Sequence, residues 1–156
     1  MIKIGIDPGF RSGSIAVKAA GMTDHWTIRE FLQTPYFEID KLLSSIKDAS
    51  TRNKESIYCV IEKQMVMPKQ GAVSSGKLMM HYGILIGLLL SNKIPYVEVV
   101  PRTWMKLYGM TRNSAETKTQ WKNRLKQRAK EVEPDLDIKS STADAILIAR
   151  IADKLL

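Results

Sequence analysis

The run Ser56 to Ile61 is almost unbroken in its apolarity and stops at a carboxylate, Glu62. A strand with one wet face alternates polar and apolar residues. One that does not alternate suits burial on both faces, as parallel sheets require. Parallel pairing in turn needs crossover connections, which place helices on the sheet faces.

The rest of the chain supplies such elements. Ile2, Ile4 and Ile6 alternate with Lys3, Gly5 and Asp7, which predicts a strand. Asp7-Pro8-Gly9 is a turn signal. Ser14 to Ala20 and Asp24 to Phe31 read as two further strands of an antiparallel meander. Ile39, Leu42, Leu43 and Ile46 have helical spacing and predict a helix over 38–49. Met65 to Gly71 reads as a loop and Ser74 to Ser91 as a strongly apolar helix. Gly76, Gly83 and Gly87 share one face of that helix, which would admit a close neighbour or pack on the chain's own sheet. Tyr96 to Val100 is a short strand, and Pro101 opens a helix through about Leu107. Residues 115–132 form a basic helix with a narrow stripe of Trp121, Leu125 and Ala129, and 142–156 form a last helix. A meander followed by β-α-β crossovers implies a mixed sheet with helices on both faces. No repeat or composition shift marks a linker, so one domain over 1–156 is expected.

Charge narrows the function. The net charge is +8, and the segment Arg112 to Lys130 holds seven basic residues against Glu116 alone. A basic surface of this kind suits a polyanion such as nucleic acid. Cys59 is the only cysteine, so no intrachain disulfide forms. The longest apolar stretch, Ile84 to Leu90, is interrupted by Gly87 and is too short to span a bilayer. No leader pattern opens the chain, and a cytoplasmic setting without membrane attachment is expected.

Three carboxylates stand where carboxylates need a reason. Asp7 ends the first strand, where Asp before Pro-Gly also serves a turn. Glu62 ends the most apolar strand, and it could also accompany Lys63 into solvent. Asp144 lies at the centre of the helical stripe Leu147, Ile148, Ile151 and Leu155, so it faces the sheet. The spacing Ser141 to Asp144 is also that of a capping box. One arrangement accounts for all three: neighbouring strands ending at Asp7 and Glu62, with the last helix packed across them. Like charges so gathered raise one another's pKa unless a cation neutralises them. An all-oxygen ligand set favours Mg²⁺ or Mn²⁺, and a pair of such ions can hydrolyse a phosphodiester. His25, His81 and Cys59 are too scattered to suggest zinc. Gly9 to Gly13 leads into a strand rather than a helix, so it reads as a hairpin and not a phosphate cradle.

Ile4-Gly5-Ile6-Asp7-Pro8-Gly9 resembles the opening of RuvC-type Holliday junction resolvases. The resemblance continues through Val60-Ile61-Glu62-Lys63-Gln64, Val97-Glu98-Val99-Val100-Pro101, Lys118-Thr119-Gln120 and Ala143-Asp144-Ala145-Ile146-Leu147-Ile148-Ala149. It spans nearly the whole chain and is closest to compact phage-type members. It implies an RNase H-like α/β fold, with a five-stranded mixed sheet of order 3-2-1-4-5 and helices on both faces. It implies a homodimer that makes paired nicks in a four-way DNA junction, using two Mg²⁺ ions or Mn²⁺ in their place. Asp7, Glu62 and Asp144 match the family's acidic positions, and Lys118 matches a basic residue near the scissile phosphate. A further family acid falls here on Ser140 or Ser141. Three readings stay open: a Ser141 hydroxyl with water completes the second ion's shell, Asp135 or Asp137 reaches in, or catalysis is weakened. Met65 matches an apolar side chain that intrudes at the junction centre. With it, Arg11, Lys77, Arg102, Lys118, Lys122 and Lys126 are the candidate DNA contacts. Two other activities fit the same residues: a nuclease for flaps or forks, and a junction-binding protein with weak catalysis.

Overall fold

A computed structural model describes residues 1–19, 25–66 and 71–155. Five strands, β1 (Ile2–Asp7), β2 (Ser14–Ala19), β3 (His25–Glu30), β4 (Ile57–Glu62) and β5 (Tyr96–Val99), form one sheet in the order β3-β2-β1-β4-β5. The first three make the expected antiparallel meander, while β4 and β5 join in parallel. The expected strand ends at Ala20 and Asp24 lie outside the described residues, as do positions 67–70 of the expected loop.

Cys59, Val60 and Ile61 are all buried, so the unbroken run in β4 does face a core on each side. On one side Ile4, Ile6, Ile15, Cys59 and Ile61 meet α1 (Tyr36–Asn53) and α2 (Ala72–Ser91) through Ile39, Leu43, Leu85 and Leu89. On the other, Ala16 and Val60 meet α3 (Pro101–Leu107), α4 (Lys118–Val132) and α5 (Ala143–Ala149) through Trp104, Leu125 and Ile146. Both faces are therefore covered, which is why neither β1 nor β4 can carry a polar stripe.

Three features differ from expectation in ways that matter. The final helix is two pieces, α5 and then α6 (Ala152–Leu155). Between them Ile151 N–H bonds Ile148 O and Lys154 N–H bonds Ile151 O, a tightened spacing that interrupts the α-helical ladder. Next, every residue of α5 is buried, so it has no polar face at all. Its Ile146, Leu147 and Ile148 each stabilise the fold by roughly 1.5–3 kcal/mol through burial. The Leu155 side chain, expected in the same stripe, lies outside the description. Finally, α2 as a whole is long and apolar enough to cross a membrane by length and composition, which the short run 84–90 did not suggest. Its Tyr82, Leu85 and Leu89 are packed on the sheet, and its opposite face carries Val73, Met80 and Leu90 into solvent.

Candidate active site

The site is built at the C-terminal edge of β1 and β4. These strands are parallel neighbours with Ile6 opposite Ile61, so their terminal acids Asp7 and Glu62 emerge side by side. Helix α5 crosses β1, β2 and β4 and brings Asp144 in its first turn to the same edge. The approach is close: a Cβ on Gly5 would lie 2.1 Å from Ala145 O and 2.2 Å from Ala149 N. The β1–β2 turn is equally tight, since a Cβ on Gly13 would meet Asp7 O at 2.2 Å. That turn is a hairpin, as its sequence suggested, and Gly9 N–H donates to Asp7 Oδ1 at 3.1 Å.

The three acids feel one another. Burial, then the charge of Asp144, then that of Glu62, push the Asp7 carboxyl up to about 8. Burial and Asp144 also raise Glu62, against two hydrogen bonds that hold it down. Trp104 Nε1–H donates to Glu62 Oε2 at 2.7 Å, and Gln64 Nε2–H to Oε1 at 3.2 Å. Asp144 is 7% exposed, and its Oδ1 is buried without a hydrogen-bond partner. The capping-box alternative does not hold, because the N-cap of α5 is Thr142 and no side chain caps it.

A cation already stands against this cluster. Lys122 Nζ on α4 lies 2.6 Å from Asp144 Oδ2. Burial pulls its pKa down, but Asp144, Asp7 and Glu62 more than offset this and hold the ammonium above its usual range. Lys122, one of the candidate DNA contacts, has its ammonium turned inward to this carboxylate. The reason is helical spacing, since Lys122 precedes Ala129 by seven residues and shares its buried face. Lys118, by contrast, is exposed and takes part in no ion pair among the described residues.

Among the described residues no three acidic, histidine or cysteine side chains already stand as ligands to one ion. Glu62 is committed to Trp104 and Gln64, and Lys122 occupies the side of Asp144. Yet the site fits a divalent cation in its chemistry. It has an all-oxygen donor set, a buried Asp144 oxygen with no partner, and carboxylates that repel one another.

Ser141, where the sequence leaves three readings open, is bonded away from the three acids. Its hydroxyl donates to Glu30 Oε1 at the end of β3, and Lys139 Nζ pairs with Glu30 Oε2 at 2.9 Å. Asp135 and Asp137 are both exposed. Glu30 and Trp104 were not singled out from the sequence. The signal for Glu30 is the meander register, which aligns Asp7 with Ser14 and Ser14 with Glu30. Directly opposed residues share a sheet face, so that row points towards α5.

Arg11 is exposed on the β1–β2 turn, Lys77 on α2 and Arg102 on α3; Lys126 is partly exposed on α4. None of the four takes part in an ion pair among the described residues. Met65 follows Glu62 by three residues and is 52% exposed. Two basic side chains of α4 are engaged within the chain, Arg124 with Glu116 and Arg128 with Glu131.

A meander continued by two parallel strands, with acids gathered at the β1–β4 edge, defines an RNase H-like fold. Solved structures of Thermus thermophilus RuvC have that fold and are similar to this chain over almost all its length. One has a TM-score of 0.53 at 17% identity, covering 96% of this chain and 91% of the other. A second, RuvC in complex with a Holliday junction substrate, has a TM-score of 0.59 at 16% identity, covering 96% and 90%. No family model and no curated protein matches the chain.

Proposed function

We propose that this protein is a divalent-cation-dependent endodeoxyribonuclease of the RuvC type that resolves four-way DNA junctions. The observation that carries this reading is the convergence of Asp7, Glu62 and Asp144 on one sheet edge, with Asp144 Oδ1 unpartnered, in a fold similar to a junction-bound RuvC. Asp7, Glu62 and Asp144 would hold Mg²⁺ or Mn²⁺. Such ions, when bound, activate water and stabilise the leaving oxygen of a phosphodiester.

The chain's own residues do the remaining work. Gly5 lets α5 approach β1 closely enough to present Asp144 beside Asp7. Trp104 and Gln64 fix the Glu62 carboxylate from two sides. Lys118, Lys126, Arg11, Arg102 and Lys77 supply positive charge for the phosphate backbone, which positions DNA without reading its sequence. Met65, exposed beside the site, would wedge between bases at the branch.

Paired cutting calls for two copies, and α2 offers a surface for the second. At about 100° per residue, Val73, Met80, Gly87, Gly76, Gly83 and Leu90 fall within one exposed face. A Cβ on Gly76, Gly83 or Gly87 would meet nothing within 4 Å, so these glycines do not pack on the chain's own sheet. They leave a shallow seam in an apolar face, suited to the same helix of a partner.

A panel of mobile junction, fork, flap, duplex and RNA–DNA hybrid, each with Mg²⁺, Mn²⁺ or chelator, tests the substrate. Symmetric paired incisions confined to the junction are expected; equal cutting of flaps or forks would replace this reading with a general branched-DNA nuclease. One observation favours a second reading, a junction-binding protein with weak catalysis: the hydroxyl of Ser141 is taken up by Glu30. Ion-dependent nicking that is lost in Glu62→Gln would exclude it.

A further inference from the structure

The proposed nuclease reading leaves the inward turn of Lys122 unexplained. Even beside a buried helix face, a lysine normally extends its head into water, and only its stem is covered. Here the ammonium is the part drawn in. It sits 2.6 Å from Asp144 Oδ2, with side-chain exposures of 26% for the lysine and 10% for the aspartate. Three carboxylates share this edge, and an uncompensated cluster of buried like charges would oppose folding.

We propose that Lys122 is a tethered counter-ion that a divalent cation must displace on entering the acidic cluster. The inference rests on the three acids forming an ion site. The geometry supports exchange rather than coexistence. Asp144 Oδ2 is already bonded to the ammonium, and its Oδ1 is the buried oxygen left without a partner. An ion bridging Asp144 to Asp7 or Glu62 would therefore meet a positive charge held on the same carboxylate. Lys122 is half-buried on α4, within reach of solvent, and its four-carbon stem is flexible enough to change rotamer. Lys122 would then have two settings: closed, holding the ion-free fold together, and released, when the ion takes over its electrostatic role.

The test is Mn²⁺ titration by calorimetry on wild type and Lys122→Met, with melting temperatures taken in chelator. Lys122→Met should bind Mn²⁺ about tenfold more tightly, within the usual range for coupled sites. It should also melt lower than wild type in chelator, with the gap closing as Mn²⁺ is added. Lys130→Met, an exposed change on the same helix, should leave the affinity as it is. Equal or weaker Mn²⁺ binding by Lys122→Met, beside measurable binding by wild type, would overturn the exchange while leaving the ion site intact. Failure of both proteins to bind Mn²⁺ would overturn the ion site itself and the exchange with it. Should Lys122→Met not fold without ion, Lys122→Gln keeps a donor on Asp144 but no charge, and the same comparison decides the question.

Discussion

Gly5 and Ala145 touch backbone to backbone: a Cβ added to the glycine would lie 2.1 Å from the alanine's carbonyl oxygen. This contact sets the depth at which α5 rests on β1, and hence where Asp144 stands relative to Asp7. Gly5→Ala must therefore push the helix outward. Overpacking of this kind costs about 1–3 kcal/mol or more, and each kcal/mol lowers the melting temperature by about 2–4 °C in a chain of this size. Junction cleavage should fall further than stability, since folded molecules would still hold Asp144 out of place. A variant that melts and cuts like wild type would show that the close approach is not needed.

Asp7 makes stability depend on pH in a definite sense. Its carboxyl is raised from 3.8 to about 8 in the folded protein, first by burial and then by Asp144 and Glu62. Between those values the folded state holds a proton that the unfolded state has released. The stability this proton brings is present at low pH and is lost as pH climbs through about 8. In chelator, wild type should lose melting temperature from pH 6 to pH 9, and Asp7→Asn should lose less. Parallel curves for the two proteins would remove Asp7 from the repulsive cluster.

Lys118 and Lys126 take part in no ion pair among the described residues, whereas Arg124 and Arg128 are held by Glu116 and Glu131. Lys118→Ala or Lys126→Ala should each lower the salt slope of junction binding by about 0.9 per lost phosphate contact. The measurement is log K against log salt in chelator. An unaltered slope would place that lysine off the DNA.

The α2 face gives a prediction for assembly. Met80 is 62% exposed beside the glycine seam. Met80→Glu should convert a dimer to single chains in light scattering at micromolar concentration, with its melting temperature little changed, since most of the residue is exposed in its own chain. A wild-type protein that is itself a single chain would dismiss α2 as the pairing surface.

Much of this arrangement was legible beforehand, and the physical reasons are specific. Burial on both faces of β4 showed in its unbroken run, and the core-facing placement of Asp144 showed in helical spacing. Glu30 did not show, because its place beside Ser141 depends on the register of β2 against β3 and on where α5 begins. Trp104 did not show either: it is a buried core residue, and its indole bond to Glu62 depends on how α3 is set after β5. Lys122 was hidden by its neighbours, since seven basic residues in one segment suggest a uniform solvated face. The two-turn spacing to Ala129 carried the contrary signal.

The central claim is that the three acids cut and the basic surface binds. It is tested most directly by comparing wild type with Asp7→Asn on one mobile four-way junction, measuring binding in chelator and nicking after Mg²⁺ or Mn²⁺ is added. The expected result is equal binding by both proteins, with paired, ion-dependent nicks from wild type and none from Asp7→Asn. Full cleavage by Asp7→Asn, or nicking by wild type that persists in chelator, would contradict it.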